Sequence, residues 1–248
     1  MSVIVSLTTI PPRFSHIGST LDGLLRQTAK LDEIRLYIPR KYRRFPDYDG
    51  NLPEVPAGVR IVRCDDDFGP ASKVLHAVDD LHGSDCKLIY CDDDRRYQPD
   101  YFEQMIPESD KRDGTCIAVA TRDISEICAT QGEQPGPRAR PYRKDLYYRL
   151  RRIGQICSKP FGGGRQRPSW PRNSDAGFAD IARGVGAVLV RPDFFDAAAY
   201  DISDVLWSVD DVWLSGQLAR LNIPIWGLSD INMPPPAAGE DVANLLDA

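Results

Sequence analysis

The sequence predicts an α/β fold: a mostly parallel central sheet between two helical layers, a three-layer sandwich of the Rossmann-like kind. Three observations predict it. Short apolar runs alternate with segments of helical periodicity, the pattern of parallel strands joined by crossover helices. Several of these runs end in polar clusters, Thr8-Thr9, Asp65 to Asp67 and Asp92 to Asp94. A parallel sheet gathers such clusters along one edge, where open α/β sheets take their ligands. A chain of 248 residues, 42% hydrophobic and 27% charged, suits one large domain with a sizeable core.

Taken in order, Val3-Ile4-Val5-Ser6-Leu7 is a β-branched run of central-strand character. It closes at Thr8-Thr9-Ile10-Pro11-Pro12-Arg13, where two prolines enforce an extended turn. Ile17, Leu21, Leu24 and Leu25 then recur at helical spacing. Ile34 to Ile38 alternates as a strand and stops at Pro39, and Lys41 to Gly58, rich in Pro, Asp and Tyr, reads as a loop. Val59 to Val62 gives a third strand, and the helix that starts near Pro70 turns Val74, Leu75, Val78 and Leu81 inward. Leu88-Ile89-Tyr90 is too short for a helix and suits a buried strand. Beyond the aspartates, Pro99 and Asp100 are expected to open a helix whose apolar face is Tyr101, Phe102, Met105 and Ile106. Ile117 to Ala120 is a further strand.

The alternation fails between Arg122 and Asp180, and then recovers. Gly184 to Val190 reads as a strand with permissive glycines at its start, Pro192 to Ala199 as a short helix, and Ile223 to Leu228 as a last strand. Ser208-Val209-Asp210-Asp211 has the form of a capping box before the helical run Val212, Leu214, Leu218 and Leu221. The organisation expected is a single domain over residues 1–232, with a basic insertion at about 123–180. Residues 233–248 form a Pro-rich tail, extended or disordered.

Composition narrows the function classes. The six cysteines form no CxxC pair, so reduced thiols in a cytosolic protein are expected rather than a disulfide framework. The N-terminus MSVIVSLTTIPPR lacks a basic n-region, and no apolar run reaches membrane-spanning length. A cytoplasmic protein is expected, with peripheral contact at the inner face of a membrane left open. The net charge of -5 hides a polarised chain: residues 138–172 hold eleven Lys/Arg against the single acid Asp145. Glycines and aromatics are mixed into that window, which suits either a solvated surface loop or a lid for an anionic substrate. No nucleic-acid-binding module is recognisable in it, and no nucleic-acid partner is expected.

Two carboxylate groups carry the candidate chemistry. Three consecutive aspartates, Asp92, Asp93 and Asp94, repel one another unless water or a cation intervenes, and hard oxygen donors suit Mg²⁺ or Mn²⁺. A solvated acidic turn explains the triplet equally well. Asp210 and Asp211, in the first turn of a helix, are explained equally by the helix dipole.

Five segments in order, SLTTIPPRF (6–14), DFGPASK (67–73), YCDDDRRY (90–97), RGVGAVLVRPDFF (183–195) and DDVWLSGQL (210–218), resemble the GT-A fold glycosyltransferases, of the family-2-like small bacterial kind. The resemblance covers Val3 to Leu228 apart from the basic insertion. It implies that Thr8, Thr9, Pro11 and Arg13 border the base and ribose of a nucleotide-sugar, with Asp67 and Lys73 near the nucleoside or sugar. Asp92, Asp93 and Asp94 match the DxD motif, which implies Asp92 toward the ribose and Asp94 on a divalent ion, Mn²⁺ or Mg²⁺. Asp211 matches the general base of inverting members, Asp210 the residue that orients the acceptor, and Gly184 and Gly186 the strand that lines the acceptor side. The implied reaction moves a sugar, by family frequency from UDP, to a glycan or glycolipid hydroxyl. One departure is the absence of a late histidine ligand, since the histidines are His16, His76 and His82. The rival readings are a non-catalytic module that binds anionic surfaces through residues 138–172 and a sugar nucleotidyltransferase. The latter lacks its Gly-rich, Lys/Arg-containing loop here, because Thr8 to Arg13 carries two prolines instead.

Overall fold

A computed structural model describes residues 1–126, 136–142, 170–239 and 242–243. Most of the basic window, residues 143–169, therefore lies outside the described residues, as do Cys128 and Cys157. Of the other cysteines, Cys64, Cys86, Cys91 and Cys116 are free thiols. Among the described residues no helix is long and apolar enough to cross a membrane.

In chain order the strands are β1 (Ser2–Thr8), β2 (Glu33–Pro39), β3 (Val59–Cys64), β4 (Cys86–Tyr90), β5 (Cys116–Arg122), β6 (Arg140–Pro141), β7 (Asn173–Asp175), β8 (Gly177–Ala179), β9 (Ile181–Val190) and β10 (Ile225–Gly227). The helices are α1 (Gly18–Leu25), α2 (Ser72–Asp80), α3 (Ile106–Lys111) and α4 (Asp210–Arg220), with short 3₁₀ turns between. Eight strands form one sheet in the order β3-β2-β1-β4-β9-β5-β10-β8, and β6 pairs with β7 in a separate ribbon. The pairs β3–β2, β2–β1, β1–β4 and β5–β10 are parallel. β9 runs antiparallel to both of its neighbours, and β8 antiparallel to β10. The expected mostly parallel α/β architecture is therefore observed.

Each strand alternates between the two faces, as the two-residue period of a pleated sheet requires. On β1, Ile4 joins the core under α2 and α4, with Val74, Leu75, Val78, Leu214 and Leu218. Val3, Val5 and Leu7 join the other core, with Ile17, Leu21 and Leu24 around α1 and with Tyr101, Phe102 and Met105. Two cores on two faces make the three layers.

Several local expectations are corrected. The helix expected to open at Pro99 is a 3₁₀ turn over Phe102–Gln104 followed by α3 from Ile106, with Pro107 in its first turn. Pro192 to Ala199 forms two 3₁₀ turns, Pro192–Phe194 and Ala197–Tyr200, in place of one helix. The capping box does not form: the cap position of α4 is Val209, with no side-chain cap, and Ser208 is exposed. The patternless stretch before Asp180 contains β7 and β8, and β8 completes the sheet edge. The described part of the tail is extended and docked: Arg96 N donates to Pro235 O at 2.9 Å and Ala237 N to Asp94 O at 2.7 Å.

Two features position the site. Because β1 to β4 are parallel, Thr8, Cys64 and Tyr90 all finish at one edge, and the antiparallel β9 begins at that same edge. β9 also carries a large bulge. Ala118 pairs with Val188 and Ala120 with Arg183, so β5 advances two residues while β9 advances five. Residues 184–187 take up the excess, with Ala187 held at φ 64°, a conformation that non-glycine residues seldom adopt. Their backbone groups leave the ladder and must find other partners.

Candidate active site

Three knots of polar side chains occupy this edge. The first is built on the turn after β1. Pro11 opens a 3₁₀ turn over Pro11–Arg13, a position where proline's fixed φ and missing N–H cost nothing. The turn aims Arg13 at the aspartates, and its Nη1 lies 2.7 Å from Asp93 Oδ1 and 3.3 Å from Asp94 Oδ2. Thr9 Oγ1 donates to Asp93 Oδ2 at 2.5 Å, and Thr20 Oγ1 to the Asp93 carbonyl at 2.8 Å. Burial nevertheless raises the Asp93 carboxyl above its ordinary value, against the pull of Arg13. Arg13 Nε donates to Val242 O at 2.9 Å, so the C-terminal segment closes over this knot.

The second knot joins distant parts of the chain. Lys73, in the first turn of α2 and only 6% exposed at its side chain, holds Nζ 2.7 Å from Asp92 Oδ1 and 2.8 Å from Asp210 Oδ2. Burial works against its charge, but Asp210 and then Asp92 raise its pKa well above the ordinary lysine value. Burial likewise works against Asp92, and the Lys73 ammonium more than offsets it, so that carboxyl is held low. Gly184 passes directly over the pair. A Cβ there would lie 2.8 Å from Asp92 Oδ1 and 2.8 Å from Lys73 Nζ, so the close approach requires glycine.

The third knot uses the bulge. Gly184 N–H, released from the ladder, donates to Asp211 Oδ1 at 2.9 Å, and Arg183 Nε stands 3.7 Å from Asp211 Oδ2. The Asp211 carboxyl is pushed up to about 7, first by burial and then by the neighbouring Asp210 charge. A helix N-terminus favours the ionised form by about 0.3–1 kcal/mol, less than these two effects together.

Thus Thr9, Arg13, Lys73, Asp92, Asp93, Asp94, Gly184, Asp210 and Asp211 come together at one rim. Others do not touch it. Thr8 Oγ1 donates to Tyr37 O at 2.8 Å within the sheet. Asp67 accepts from Gly69 N at 2.9 Å and Arg43 N at 2.7 Å and so shapes its own turn. Gly186 packs within the bulge, where an added Cβ would meet Ala120 Cβ at 2.8 Å, and its carbonyl accepts from Tyr101 Oη at 2.9 Å. The sequence reading missed Thr20, Arg183, Arg95 and the C-terminal segment. Arg183 and Arg95 adjoin residues already singled out, which was the available signal. The segment after Ile231 has no periodicity that could have revealed its docking.

The donor set can be tested against a divalent ion. Asp94 Oδ1 is buried and accepts no hydrogen bond, although Arg95 Nε lies 3.1 Å away. The Asp94 carboxyl is pushed up to about 6 by burial and then by Asp92, which together outweigh the pull of Arg95 and Arg13. Such an oxygen fits Mg²⁺ or Mn²⁺. Among the described residues no group of three or more His, Cys, Asp or Glu gathers closely enough to hold a metal. Most ligands would therefore come from a substrate and water.

No protein-family model matches the chain, and no curated protein matches it significantly. Among solved structures, the fragment 1–349 of S. aureus TarS in complex with UDP is 12% identical with a TM-score of 0.48, over 95% of this chain and 60% of that one. A longer S. aureus TarS chain is 12% identical with a TM-score of 0.47, over 95% of this chain and 36% of that one. The cytidylyltransferase IspD of Francisella tularensis is 12% identical with a TM-score of 0.45, over 94% and 92%. This chain thus spans well under two thirds of the TarS chain. Likeness at this level carries no statement about activity.

Proposed function

We propose that this chain is a metal-dependent, inverting glycosyltransferase of the GT-A type, which moves a hexose from a nucleoside diphosphate, UDP, to a glycan or glycolipid hydroxyl. The observation that supports it is the joining of the two aspartate groups. Asp92 and Asp210, more than a hundred residues apart, share the Lys73 ammonium within 2.8 Å. Two acidic clusters on one rim, one suited to a cation and one poised to take a proton, are what transfer from a diphosphate to an alcohol requires.

In this reading Thr9, Arg13, Lys73, Asp92 and Asp93 hold the donor, and Thr8, Pro11 and Asp67 act behind them by shaping the strand end and turns that carry the rim. Asp94, with Asp92, would hold Mn²⁺ or Mg²⁺, which offsets charge on the leaving diphosphate. Asp211 takes the proton of the acceptor hydroxyl. Gly184 N–H fixes one of its oxygens, Asp210 holds the acceptor in line, and Gly186 supports the acceptor wall through the bulge. The acceptor oxygen bonds to the anomeric carbon as the bond from that carbon to the diphosphate oxygen breaks on the opposite face, so the configuration inverts. A base with its pKa near working pH is well matched to this step, and Asp211 is pushed up to about 7.

The test is incubation with Mn²⁺ and a panel of nucleotide-sugars, with donor hydrolysis and transfer as readouts. Asp94→Ala and Asp211→Ala are each expected to reduce transfer by at least about 10²-fold. Full activity in both variants removes the assignment.

A further inference from the structure

Beside Asp211 three arginines stand together, and among the described residues little neutralises them. Arg122 ends β5, and Arg183 lies on the adjoining β9, where Ala120 pairs with Arg183 and Arg122 with Ile181. Arg172, just before β7, is tied to the same place, since its Nε donates to Thr121 O at 3.2 Å. Against these three charges stands Glu126, whose Oε2 is 3.5 Å from both Arg122 Nε and Arg172 Nη2. Asp211 Oδ2 adds only a 3.7 Å contact to Arg183. Arg122 Nε is buried and makes no hydrogen bond. Burial lowers the pKa of Arg172, and repulsion from Arg183 and Arg122 adds to this despite Glu126. Yet the three side chains keep 42%, 27% and 34% of their surface open, so a ligand can reach them.

We infer that Arg122, Arg172 and Arg183 form a binding subsite for an oxyanion, a phosphate or carboxylate, borne by the molecule whose hydroxyl is presented to Asp211. Guanidinium forks match such groups bidentately and bind them more strongly than a single ammonium does. The placement sets the substrate class. A neutral sugar adds nothing to the partial compensation that Glu126 and Asp211 give among the described residues, whereas an acceptor with its hydroxyl close to an anionic group satisfies both the arginines and Asp211. The arrangement deepens the glycosyltransferase reading only in calling this molecule the acceptor; the anion subsite itself stands on the arginines.

The experiment is calorimetric titration of the full chain with inorganic phosphate, with and without saturating UDP, followed by phosphatidylglycerol and phosphatidylcholine vesicles. Phosphate is expected to bind in the presence of UDP. Arg172→Gln and Arg122→Gln should each weaken it by roughly tenfold, since each removes a charge-assisted bond. Arg172→Lys, which keeps the charge and loses the fork, should fall between. Arg60→Gln, on the distant β3 and paired with Glu33, is the control and should bind as the parent does. Melting curves identify any variant that fails to fold, and the Arg172→Lys protein then carries the comparison. Binding of free phosphate assigns a soluble or polymer-borne anion; binding confined to phosphatidylglycerol vesicles assigns a headgroup. No binding of either, or phosphate binding that UDP abolishes and that Arg172→Gln leaves intact, overturns the proposal. Phosphate binding by the arginines in a protein that turns over no nucleotide-sugar leaves the subsite standing and removes the glycosyltransferase reading instead.

Discussion

Two buried lysines serve opposite edges of the same sheet. Lys87, near the start of β4, and Lys73, on α2 at the end of β1, have side chains 7% and 6% exposed. Lys87 reaches a single carboxylate, Asp110 at 2.5 Å, whose own side chain is 65% exposed. Lys73 reaches two, Asp92 and Asp210, with side chains 28% and 11% exposed. Burying an ammonium is costly in either place, so burial alone does not mark a site. The difference lies in the partners. Asp110 can return to water if its lysine is removed, while Asp92 and Asp210 cannot do so fully. One lysine anchors a surface turn; the other holds two chain-distant halves of a rim in register.

The sharpest test of that comparison is to remove each ammonium. Lys73→Met leaves two carboxylates without their counter-charge and is expected to cost about 3–5 kcal/mol in urea unfolding. Lys87→Met should cost no more than about 1 kcal/mol, because its partner rehydrates. Equal costs would break the contrast. Next in size is the glycine over the Lys73 pair. Gly184→Ala places a methyl 2.8 Å from both charged atoms and is expected to cost about 2 kcal/mol. Gly18→Ala, at the start of α1 with nothing within 4 Å, should instead stabilise by a few tenths up to about 1 kcal/mol.

A smaller and pH-dependent effect comes from Asp211. Its carboxyl is raised to about 7 in the folded protein, so between the ordinary carboxylate range and pH 7 the folded state holds a proton that the unfolded state gives up. That contribution to stability is present at low pH and is lost as pH rises through 7. Asp211→Asn removes the ionisable group and should be more stable than the parent at pH 8, by on the order of 1–2 kcal/mol, with the gap closing toward pH 5. The same proton must leave before Asp211 can act as a base. The kcat/KM of the parent should therefore fall along an acid limb centred near pH 7, read from the rate of nucleotide release.

The elements show how far sequence reasoning reaches. The strands β1 and β4 were legible as short apolar runs and β2 by its alternation, and α2 because its apolar residues repeat at helical spacing. The Pro11–Arg13 turn and the aspartates were legible as residue types that need a reason. The cap of α4 was misread. Ser208 has the right chemistry for a cap, but Asp210 is turned toward Lys73 and the helix begins instead after Val209. The tail's extended course follows from its prolines, but its docking left no trace in the sequence, because prolines forbid regular structure without forbidding burial, and Ala237 is buried.

What the sequence determined by itself was the order of strands and helices, and with it the edge at which Thr9, Asp92 and Asp94 emerge, because a parallel strand must end where its neighbour ends. Only the tertiary structure decided that Asp210 and Asp92 answer to the same ammonium, and that the bulge in β9 frees the Gly184 N–H for Asp211. Those pairings depend on how helices lie across the sheet and on where a ladder loses its register. Local periodicity does not encode either one, since both are set by contacts between separate elements, 27 residues apart for Gly184 and Asp211 and more than a hundred for Asp92 and Asp210.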